Sequence, residues 1–261
     1  MSRPPISAYI MTFNEAEKIV DAIASVRWAD EVVVIDSFST DGTDRIAEEM
    51  GARVESVPFH TFGQIRNTAM DACRHDWIFS LDADERCTRS AAEEIQRTVD
   101  LPDAVDAYFI PRRNWYLGRW VMHSGWYPDY RQPQLFRRGA LAFDSQAEVH
   151  EEYTIQGTVG YLTQDIIQFP YMNIEQMVHK MQRYSTLGAE KCDRQGKQGG
   201  IGKGLLHGLW SFFRHYVIKL GFLDGRAGLM IAVGNFEGTF YRYAKLAARQ
   251  QNWLKKPPSH P

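Results

Sequence analysis

The chain lacks the features that mark secreted, disulfide-bonded and zinc-binding proteins. Its 261 residues include only three cysteines, Cys73, Cys87 and Cys192, which are too widely spaced for a disulfide framework or a CxxC zinc site. The N-terminus has no basic flank followed by a long apolar run, so we expect no signal peptide. No stretch reaches the ~18 uncharged apolar residues that a membrane-spanning helix requires. These absences together predict a protein of a reducing, cytoplasmic compartment.

Glycine-rich phosphate loops are absent as well. No GxGxxG motif follows the first predicted strand, and no GxxxxGK[ST] motif occurs anywhere in the chain. Dinucleotide-dependent dehydrogenases and P-loop ATPases are therefore poor interpretations. With 44% hydrophobic and 24% charged residues, the composition is that of an ordinary folded protein and excludes disordered, collagen-like and coiled-coil classes.

The small net charge of the chain conceals an uneven distribution of charged residues along it. The formal net charge is −2, yet residues 1–175 hold 16 Lys and Arg against 28 Asp and Glu, whereas residues 176–261 hold 14 against 4. The two parts therefore carry net charges of −12 and +10. Such asymmetry predicts two regions, 1–175 and 176–261, that meet different partners.

The first half of the chain alternates predicted strands and helices. Runs of β-branched and apolar residues predict strands at Ser7–Thr12, Glu31–Asp36, Arg53–Val57 and Trp77–Leu81. Helical patterns fill the intervals, through Ile19–Val26, Asp44–Met50 and Gln64–Cys73. This alternation predicts an α/β fold with a Rossmann-like, mostly parallel sheet.

The pattern changes after residue 106. We expect strands at 107–111, 134–137 and 153–159 in a mixed region with aromatic and Arg-rich loops. A C-terminal helical appendage is predicted from helices at Ile174–Ala189 and Leu205–Leu220, a Gly/Lys hinge at 196–204, and two further segments reaching about Gln250.

Polar side chains follow three of the predicted parallel strands. Thr12, Asn14 and Glu15 follow the first, Asp36 ends the second, and Asp82-Ala83-Asp84 follows the fourth. Because ligands of such sheets bind beyond the carboxyl ends of the strands, these groups predict one shared site. Mg²⁺ or Mn²⁺ binds one or two carboxylates together with phosphate oxygens, which suits the acidic pair, although a solvated acidic turn is the alternative.

Three further side chains have both a functional and a structural interpretation. The Asp36 carboxylate suits a nucleobase or ribose, or it compensates the charge of a helix terminus. Phe13 suits stacking on a base, or it fills a core. Arg66 suits a phosphate, or it forms a surface ion pair.

The motifs at the ends of the predicted strands resemble those of a known family. The segments Ser7–Glu15 (SAYIMTFNE), Val33–Asp36 with Ser39–Thr43, Arg66-Asn67 and Leu81–Asp84 are similar in order and spacing to family 2 glycosyltransferases of the GT-A fold, over roughly residues 5–90. The region Trp115–Glu151 resembles the subgroup of lipopolysaccharide-core β-glucosyltransferases. Many family 2 enzymes have a second acidic residue after the Asp of the second strand, whereas Ser37-Phe38 follows here.

The resemblance implies a role for each matching residue. It assigns Thr12, Phe13, Glu15 and Asp36 to the nucleoside, Arg66 to the donor's phosphate region, Asp82 to the donor and Asp84 to a divalent cation. It also implies a nucleotide-sugar half at about 1–100 and an acceptor half at about 101–175. The catalytic base would be Glu151 of the Val-His-Glu motif, with Glu148, Glu152 and Asp129 as rivals.

Two regions suggest the acceptor and a membrane surface. An aromatic and cationic cluster suits an anionic saccharide, or it forms a small core: Arg112, Trp115, Tyr116, Trp120, Trp126 and Tyr127. Leu205, Leu209, Phe212, Phe213, Tyr216 and Leu220 recur at helical spacing in the basic region, which predicts an interfacial helix on anionic lipid. Packing on the catalytic domain or on a second subunit is the alternative.

We therefore expect an inverting transferase that moves a hexose, with glucose from a UDP-linked donor as the first choice, to a lipid-linked saccharide such as the lipopolysaccharide inner core. It would act on the inner face of the cytoplasmic membrane, with no nucleic-acid partner. One alternative is an inactive membrane scaffold that still binds nucleotide sugars. A metal-dependent phosphatase is a poorer fit, because Arg86 stands where that class needs Thr or Val, and a nucleotidyltransferase would need a Lys-bearing glycine loop.

Overall fold

A computed structural model describes residues 3–146, 152–171, 173–251 and 253. The chain forms two compact units, residues 1–113 with 128–169, and residues 114–127 with 170–261. This division differs from the predicted one in the placement of 114–127 and of 170–175. Tyr116 and Val121 of the first segment pack with Met177, Ala227 and Ile231, which explains why it belongs to the helical unit.

The first unit is built around a seven-stranded sheet. Its N-terminal part consists of β1 (Ile6–Thr12), β2 (Glu31–Asp36), β3 (Arg53–Ser56) and β4 (Trp77–Asp82), joined through α1 (Ala16–Ser25), α2 (Thr43–Glu49) and α3 (Phe62–Ala72). These strands are parallel and lie in the order β4-β1-β2-β3. The four predicted strands and the intervening helices are confirmed.

The sheet continues beyond β4 with strands that break the parallel pattern. β9 (Pro133–Arg137) is antiparallel to both β4 and β6 (Ala107–Phe109), and β12 (Val159–Tyr161) pairs parallel with β6. Smaller elements complete the unit: β5 (Glu85–Cys87) paired with β13 (Ile166–Gln168), β10 (Leu141–Phe143) paired with β11 (Tyr153–Ile155), and α4 (Arg89–Val99). The predicted mixed region is thus present.

Both faces of the sheet are covered. Along β2, Val34 packs into one buried cluster while Val33 and Ile35 pack into the other, because successive side chains of a strand point to opposite faces. This explains why the run EVVVID shows no alternation of polar and apolar residues.

The single strand predicted at 153–159 is wrong. The segment forms the separate strands β11 and β12, which belong to different sheets, with Gly157 between them. Gly157 has φ of +100°, and a Cβ there would lie 2.2 Å from a carboxylate oxygen of Asp106. A side chain at this position would both strain the backbone and clash, so the chain turns at the glycine.

The second unit is mainly helical. It contains α5 (Ile174–Arg194), α6 (Ile201–Phe213) and α7 (Gly225–Gln250), together with a hairpin in which residues 114–116 of β7 (Arg112–Tyr116) pair with β8 (Arg119–Val121). Two predictions are corrected here. The helix predicted from Leu205 begins at Ile201 and passes into a π-helical turn at Arg214–Ile218, and the last two segments are one continuous helix after a 3-10 turn at Gly221–Asp224.

Helix α6 packs on helix α7 through glycines of α6. Gly204 lies against Phe240 and Tyr243, and Gly208 lies against Phe236. Large apolar side chains on the rest of α6 and the following turns remain exposed, and we call this set the apolar face: Ile201, Leu205, Leu206, Leu209, Trp210, Phe213, Val217, Ile218, Leu220, Phe222 and Leu223. Within the part of the chain that the structure describes, no helix has the length and apolar character to span a membrane.

Candidate active site

The register of the sheet brings the three polar strand ends together. Thr12, the last residue of β1, lies directly beside Asp36, the last residue of β2. On the other side of β1, Met11 is paired with Asp82, the last residue of β4. The predicted convergence of these residues at one edge is therefore present in the structure.

Asp36 is held in place at this edge. Its side chain is 1% exposed, and it accepts hydrogen bonds from the backbone N–H and the hydroxyl of Ser39. Asp41, rather than Asp36, accepts hydrogen bonds at the starts of both α1 and α2, from the N–H groups of Ala16 and Thr43. Asp41 therefore compensates the charge of the helix termini, which was the structural alternative considered for Asp36.

The buried hydroxyl of Thr12 has no hydrogen-bond partner among the described residues. An unsatisfied buried hydroxyl costs about 1–3 kcal/mol, which a ligand that donates or accepts there would recover. The observation suits a polar ligand at the strand end.

The loop after β1 is fastened to the loop after β2. Asn14 has a positive φ of 54°, and its side-chain carbonyl accepts a hydrogen bond of 2.8 Å from the Thr40 N–H. Glu15 forms an ion pair of 2.7 Å with Lys18. Phe13 between them is 58% exposed, so it does not fill a core and its ring face is available to a ligand.

Arg66 is buried, not a surface residue. It is 3% exposed on α3, and its guanidinium donates to Asp82 at 3.2 Å and to Ser80 at 3.3 Å. The ring of Phe143 lies 5.5 Å from its guanidinium carbon. The surface ion pair considered as an alternative is wrong, and the structure brings Arg66 and Asp82 to the same edge.

Asp84 lies on the turn after β4 and is half-buried. Its carboxylate accepts a hydrogen bond of 3.2 Å from the Gln168 side chain, and its backbone carbonyl accepts one from the Phe169 N–H. No group of three or more His, Cys, Asp or Glu side chains suited to a metal ion occurs among the described residues. Two carboxylates at a strand edge fit a divalent cation that takes its remaining ligands from substrate phosphates and water.

A network of charges behind the Asp82-Ala83-Asp84 turn was not predicted. Glu85 and Arg112 are each 1% exposed and form an ion pair with each other, and Gln134 and the Asp82 N–H donate to the same carboxylate. The position of Glu85 directly after the acidic pair at the strand end could have identified it from the sequence. Nothing in the local sequence identifies Arg112 as its partner. The network fixes the backbone of the turn.

The protonation of Glu85 depends on its surroundings. Burial raises the pKa of Glu85 to about 7, Arg112 opposes that rise, and the neighbouring carboxylates of Asp82 and Asp84 add to it. The carboxylates of Asp82 and Asp84 therefore lie close enough to Glu85 to oppose its ionisation.

The rival bases differ in accessibility. Asp129 pairs with Arg131 at 2.7 Å and lies 3.8 Å from Arg112. The side chain of Glu152 is exposed. Glu151 and Glu148 lie outside the described residues, so the assignment of the base to Glu151 stays a prediction.

The predicted acceptor cluster is only partly available. Arg112 and Tyr116 are each 1% exposed; Arg112 pairs with Glu85, and Tyr116 forms a small core with Trp126. Trp115 and Trp120 form an edge-to-face pair with ring centroids 4.7 Å apart. The hydrophobic-core interpretation is therefore correct for Tyr116 and Trp126, whereas Arg112 belongs to the buried ion pair with Glu85.

Comparison with known proteins gives matches over the sheet and over the whole chain. The sequence profile of glycosyl transferase family 2 matches residues 7–148, more than half of the chain. The lipopolysaccharide core biosynthesis glycosyltransferase LpsC of Rhizobium meliloti (strain 1021) is 27% identical over 98% of this chain and 96% of its own length. An uncharacterized glycosyltransferase of Rickettsia felis is 28% identical over 96% of this chain and 91% of its own.

A solved structure shares the fold. The structure of S. aureus TarS residues 1–349 has a TM-score of 0.52 at 16% identity and covers 95% of this chain and 92% of that one. This likeness supports the GT-A architecture expected from the strand-end motifs.

Proposed function

The chain belongs to glycosyl transferase family 2, and from that premise we propose that it is an inverting hexosyltransferase that takes glucose from a UDP-linked donor. The acceptor in this proposal is a lipid-linked saccharide such as the lipopolysaccharide inner core, in keeping with the similarity to LpsC. The observation that carries the proposal is the convergence of Thr12, Asp36 and Asp82 at one sheet edge.

In this proposal the nucleoside lies over the ends of β1 and β2. The Asp36 carboxylate, oriented by Ser39, accepts from a base N–H or a ribose hydroxyl. The Thr12 hydroxyl gains the partner that it lacks, and the exposed Phe13 ring stacks on the base. Glu15, held by Lys18, completes the rim of this nucleoside site.

The diphosphate lies next to the Asp82-Ala83-Asp84 turn. A divalent cation, Mg²⁺ or Mn²⁺, would be held by Asp84 and would supply positive charge to the departing nucleoside diphosphate. Arg66 adds a second positive charge, and because it is already oriented by Asp82 and Ser80 it needs little rearrangement. Asp82 in turn holds the donor sugar.

The base completes the reaction. Glu151 takes the proton of the acceptor hydroxyl as its oxygen attacks the anomeric carbon, and the bond from that carbon to the diphosphate breaks on the opposite side. Attack from the opposite side inverts the anomeric configuration.

The second unit would hold the enzyme at an anionic membrane surface. The apolar face of α6 presents Leu206 at 71% exposure and Trp210 at 57%, and residues 176–261 carry a net charge of +10. An exposed apolar face with basic surroundings is the combination that binds interfacially to anionic lipid. Peripheral attachment on the cytoplasmic side would bring the enzyme to a lipid-linked acceptor.

The direct test is sugar transfer by the purified full-length protein. UDP-[¹⁴C]glucose, incubated with a lipopolysaccharide-core acceptor and Mn²⁺, should give labelled glycolipid, and chelation of the metal should stop the transfer. Donor binding with neither transfer nor hydrolysis under any metal would contradict the proposal and favour the inactive scaffold. Transfer from another nucleotide sugar alone would correct the choice of donor.

A further inference from the structure

The second unit contains a cavity of about 360 Å³. It lies between α5 and α7 and is also lined by Trp126 and Tyr171, all of which belong to the same unit. Its volume falls within the ~300–1,000 Å³ range of clefts that bind small molecules. The proposed transfer reaction does not use this cavity.

Two glycines of α7 create the room. A Cβ at Gly234 would lie 3.8 Å from the Met177 side chain, and one at Gly238 would lie 3.3 Å from that of Met181. All four residues line the cavity. A methyl group at Gly234 therefore fits without displacing its neighbours, and it would reduce the free space.

Three of the twelve residues that line the cavity are aromatic. The rings of Trp126, Tyr171 and Tyr184 line the cavity, and the first two have centroids 6.4 Å apart at an angle of 41°. The faces of such rings carry partial negative charge and attract the polarised C–H groups on the face of a sugar ring. Ser185, Asn235 and Thr239 also line the cavity with hydroxyl and amide groups of the kind that pair with sugar hydroxyls. The Ser185 hydroxyl already donates to the Gln182 carbonyl, and the Asn235 amide already donates to that of Ile231.

Arg242 adds a positive charge to the wall. Its Nε–H is buried and has no hydrogen-bond partner among the described residues, and its guanidinium lies 5.4 Å from the Tyr243 ring. A buried donor without a partner is costly, and a guanidinium matches a phosphate in a two-pronged hydrogen bond.

The surroundings of the cavity are also basic. Lys245 donates to Ser185 at 2.7 Å, and Lys180 lies 5.3 Å from the centre of the Tyr171 ring. The described residues that line the cavity include no Asp or Glu. Arg242 is thus the one charged side chain among the described residues that line the cavity, which favours an anionic ligand.

We propose that this cavity binds a phosphorylated saccharide, with the phosphate on Arg242 and the sugar ring against the aromatic wall. The anionic group would pair with the positive charge of Arg242, and the sugar would contact the rings and the hydroxyl and amide groups beside it. The ligand is either a free sugar phosphate or the phosphorylated headgroup of a glycolipid, which present the same chemistry. The proposal does not rest on the transferase activity, because a binding measurement tests it directly.

The test uses methyl NMR of the full-length protein labelled with [methyl-¹³C]methionine. Glucose 6-phosphate should shift the Met177 and Met181 methyl signals saturably at millimolar concentration, whereas glucose should shift them at least tenfold less effectively. Arg242→Gln should weaken the response at least tenfold, and Gly234→Ala should weaken it by reducing the space. Arg183→Gln, which removes an exposed charge of the same helical unit outside the cavity, should respond as the unaltered protein does.

A second titration, with a micellar glycolipid that has a phosphorylated disaccharide headgroup, identifies the source. Tighter binding of the glycolipid supports the proposal with a lipid-borne ligand, and tighter binding of glucose 6-phosphate supports it with a soluble one. No saturable shift from either probe would overturn the proposal. So would an equal response to inorganic phosphate, or an unchanged response in Arg242→Gln. Because donor turnover is not measured, failure here leaves the proposed transferase activity untouched.

Discussion

The Asp84 carboxylate is half-buried on the turn after β4, where it accepts a hydrogen bond from Gln168. We expect Asp84→Ala to remove a ligand of the divalent cation and to abolish sugar transfer while the fold persists. Stabilisation of the leaving diphosphate by a metal is worth several kcal/mol. The measurement is the initial rate of transfer at saturating Mn²⁺, together with the circular dichroism spectrum.

Asp71→Ala is the matched control, because it removes an exposed carboxylate of α3 that lies away from the strand ends. It should keep the rate of the unaltered protein. A residual rate for Asp84→Ala within about tenfold, a loss of only ~1.4 kcal/mol, would show that Asp84 does not hold the metal.

Glu151→Gln should slow transfer by ~10²–10⁴ with donor affinity nearly unchanged, because the amide keeps the shape of the side chain but cannot take a proton. Rates and donor binding are measured separately, by single-turnover kinetics and by calorimetry. Glu152→Gln and Asp129→Asn test the two rival bases that the structure describes. A larger loss in Asp129→Asn or in Glu152→Gln than in Glu151→Gln would move the base to that residue.

At the scale of single residues, the burial of a side chain limits what the sequence reveals. The positions of Thr12, Asp36 and Asp82 at one edge could be predicted, since the end of a parallel strand is visible as the end of an apolar run. The burial of particular arginines could not be predicted. Arg66 and Arg112 are both buried ion-pair partners, and their partners Asp82 and Glu85 are 16 and 27 residues away in the chain.

Among the elements, the packing of α6 on α7 depends on glycine. We expect Gly204→Ala to lower the melting temperature, because its Cβ would lie 2.9 Å from the Phe240 carbonyl oxygen and would force the helices apart. Gly202→Ala is the control on the same helix, since no atom lies within 4 Å of the added Cβ. It should raise stability by up to about 1 kcal/mol, because alanine favours a helix more than glycine does.

Differential scanning calorimetry of the two variants checks this prediction. Equal melting temperatures for Gly204→Ala and Gly202→Ala would show that the close approach of the two helices is not under steric control.

The starts of the first strands are joined through Glu31. Its carboxylate accepts hydrogen bonds from the Ser7 hydroxyl at 2.6 Å, from the Arg74 N–H at 2.8 Å and from Arg53 at 3.0 Å. Burial alone would raise the pKa of Glu31, but these hydrogen bonds outweigh it and lower the pKa below the usual value of 4.5. The ionised form therefore stabilises the fold above the unfolded pKa, and this stability is lost as the pH falls through the lower folded value.

Glu31→Gln should accordingly lower the melting temperature at pH 7. The difference from the unaltered protein should shrink as the pH falls below 4.5 and through the lower pKa of the folded state, where the carboxyl of the unaltered protein becomes protonated as well. Melting temperatures over this pH range provide the measurement, and Glu55→Gln is the control because its side chain is 47% exposed on the adjacent strand β3. A difference that stays constant with pH would contradict the role given to the charge.

The elements that could be predicted are those with a strong local pattern. β2 was predicted with its observed bounds because a β-branched run buried on both faces has no helical alternative of that length. The continuous 26-residue α7 was missed, since its glycines at 228, 234 and 238 resemble interruptions in the sequence. In the structure, Gly228 instead permits close contact with the backbone of Gly221.

For the whole molecule, the separation of charge and the apolar face predict how the protein meets a membrane. We expect the protein to sediment with phosphatidylglycerol vesicles at low salt and much less with phosphatidylcholine vesicles. Each basic side chain near an anionic surface contributes ~1 kcal/mol, and this contribution is screened over ~8 Å at physiological ionic strength. Moderate salt should therefore release a large part of the bound protein.

A pair of charge substitutions separates the apolar contribution from the electrostatic one. Leu206→Glu places a carboxylate on the apolar face and should weaken vesicle binding, whereas Leu101→Glu makes the same change at a 51% exposed leucine of the first unit and should not. A full-length protein that ignores anionic vesicles at low salt would leave the apolar face without a membrane role.

The buried pair of Glu85 and Arg112 also has a consequence for inheritance. Loss of either partner strands the other charge away from water at a cost of ~3–5 kcal/mol, whereas replacement of both by apolar side chains of similar volume is often neutral. A descendant that loses one charge is therefore close to unfolding until the second substitution arrives. We expect positions 85 and 112, which are 27 residues apart in the chain, to show correlated substitution among relatives.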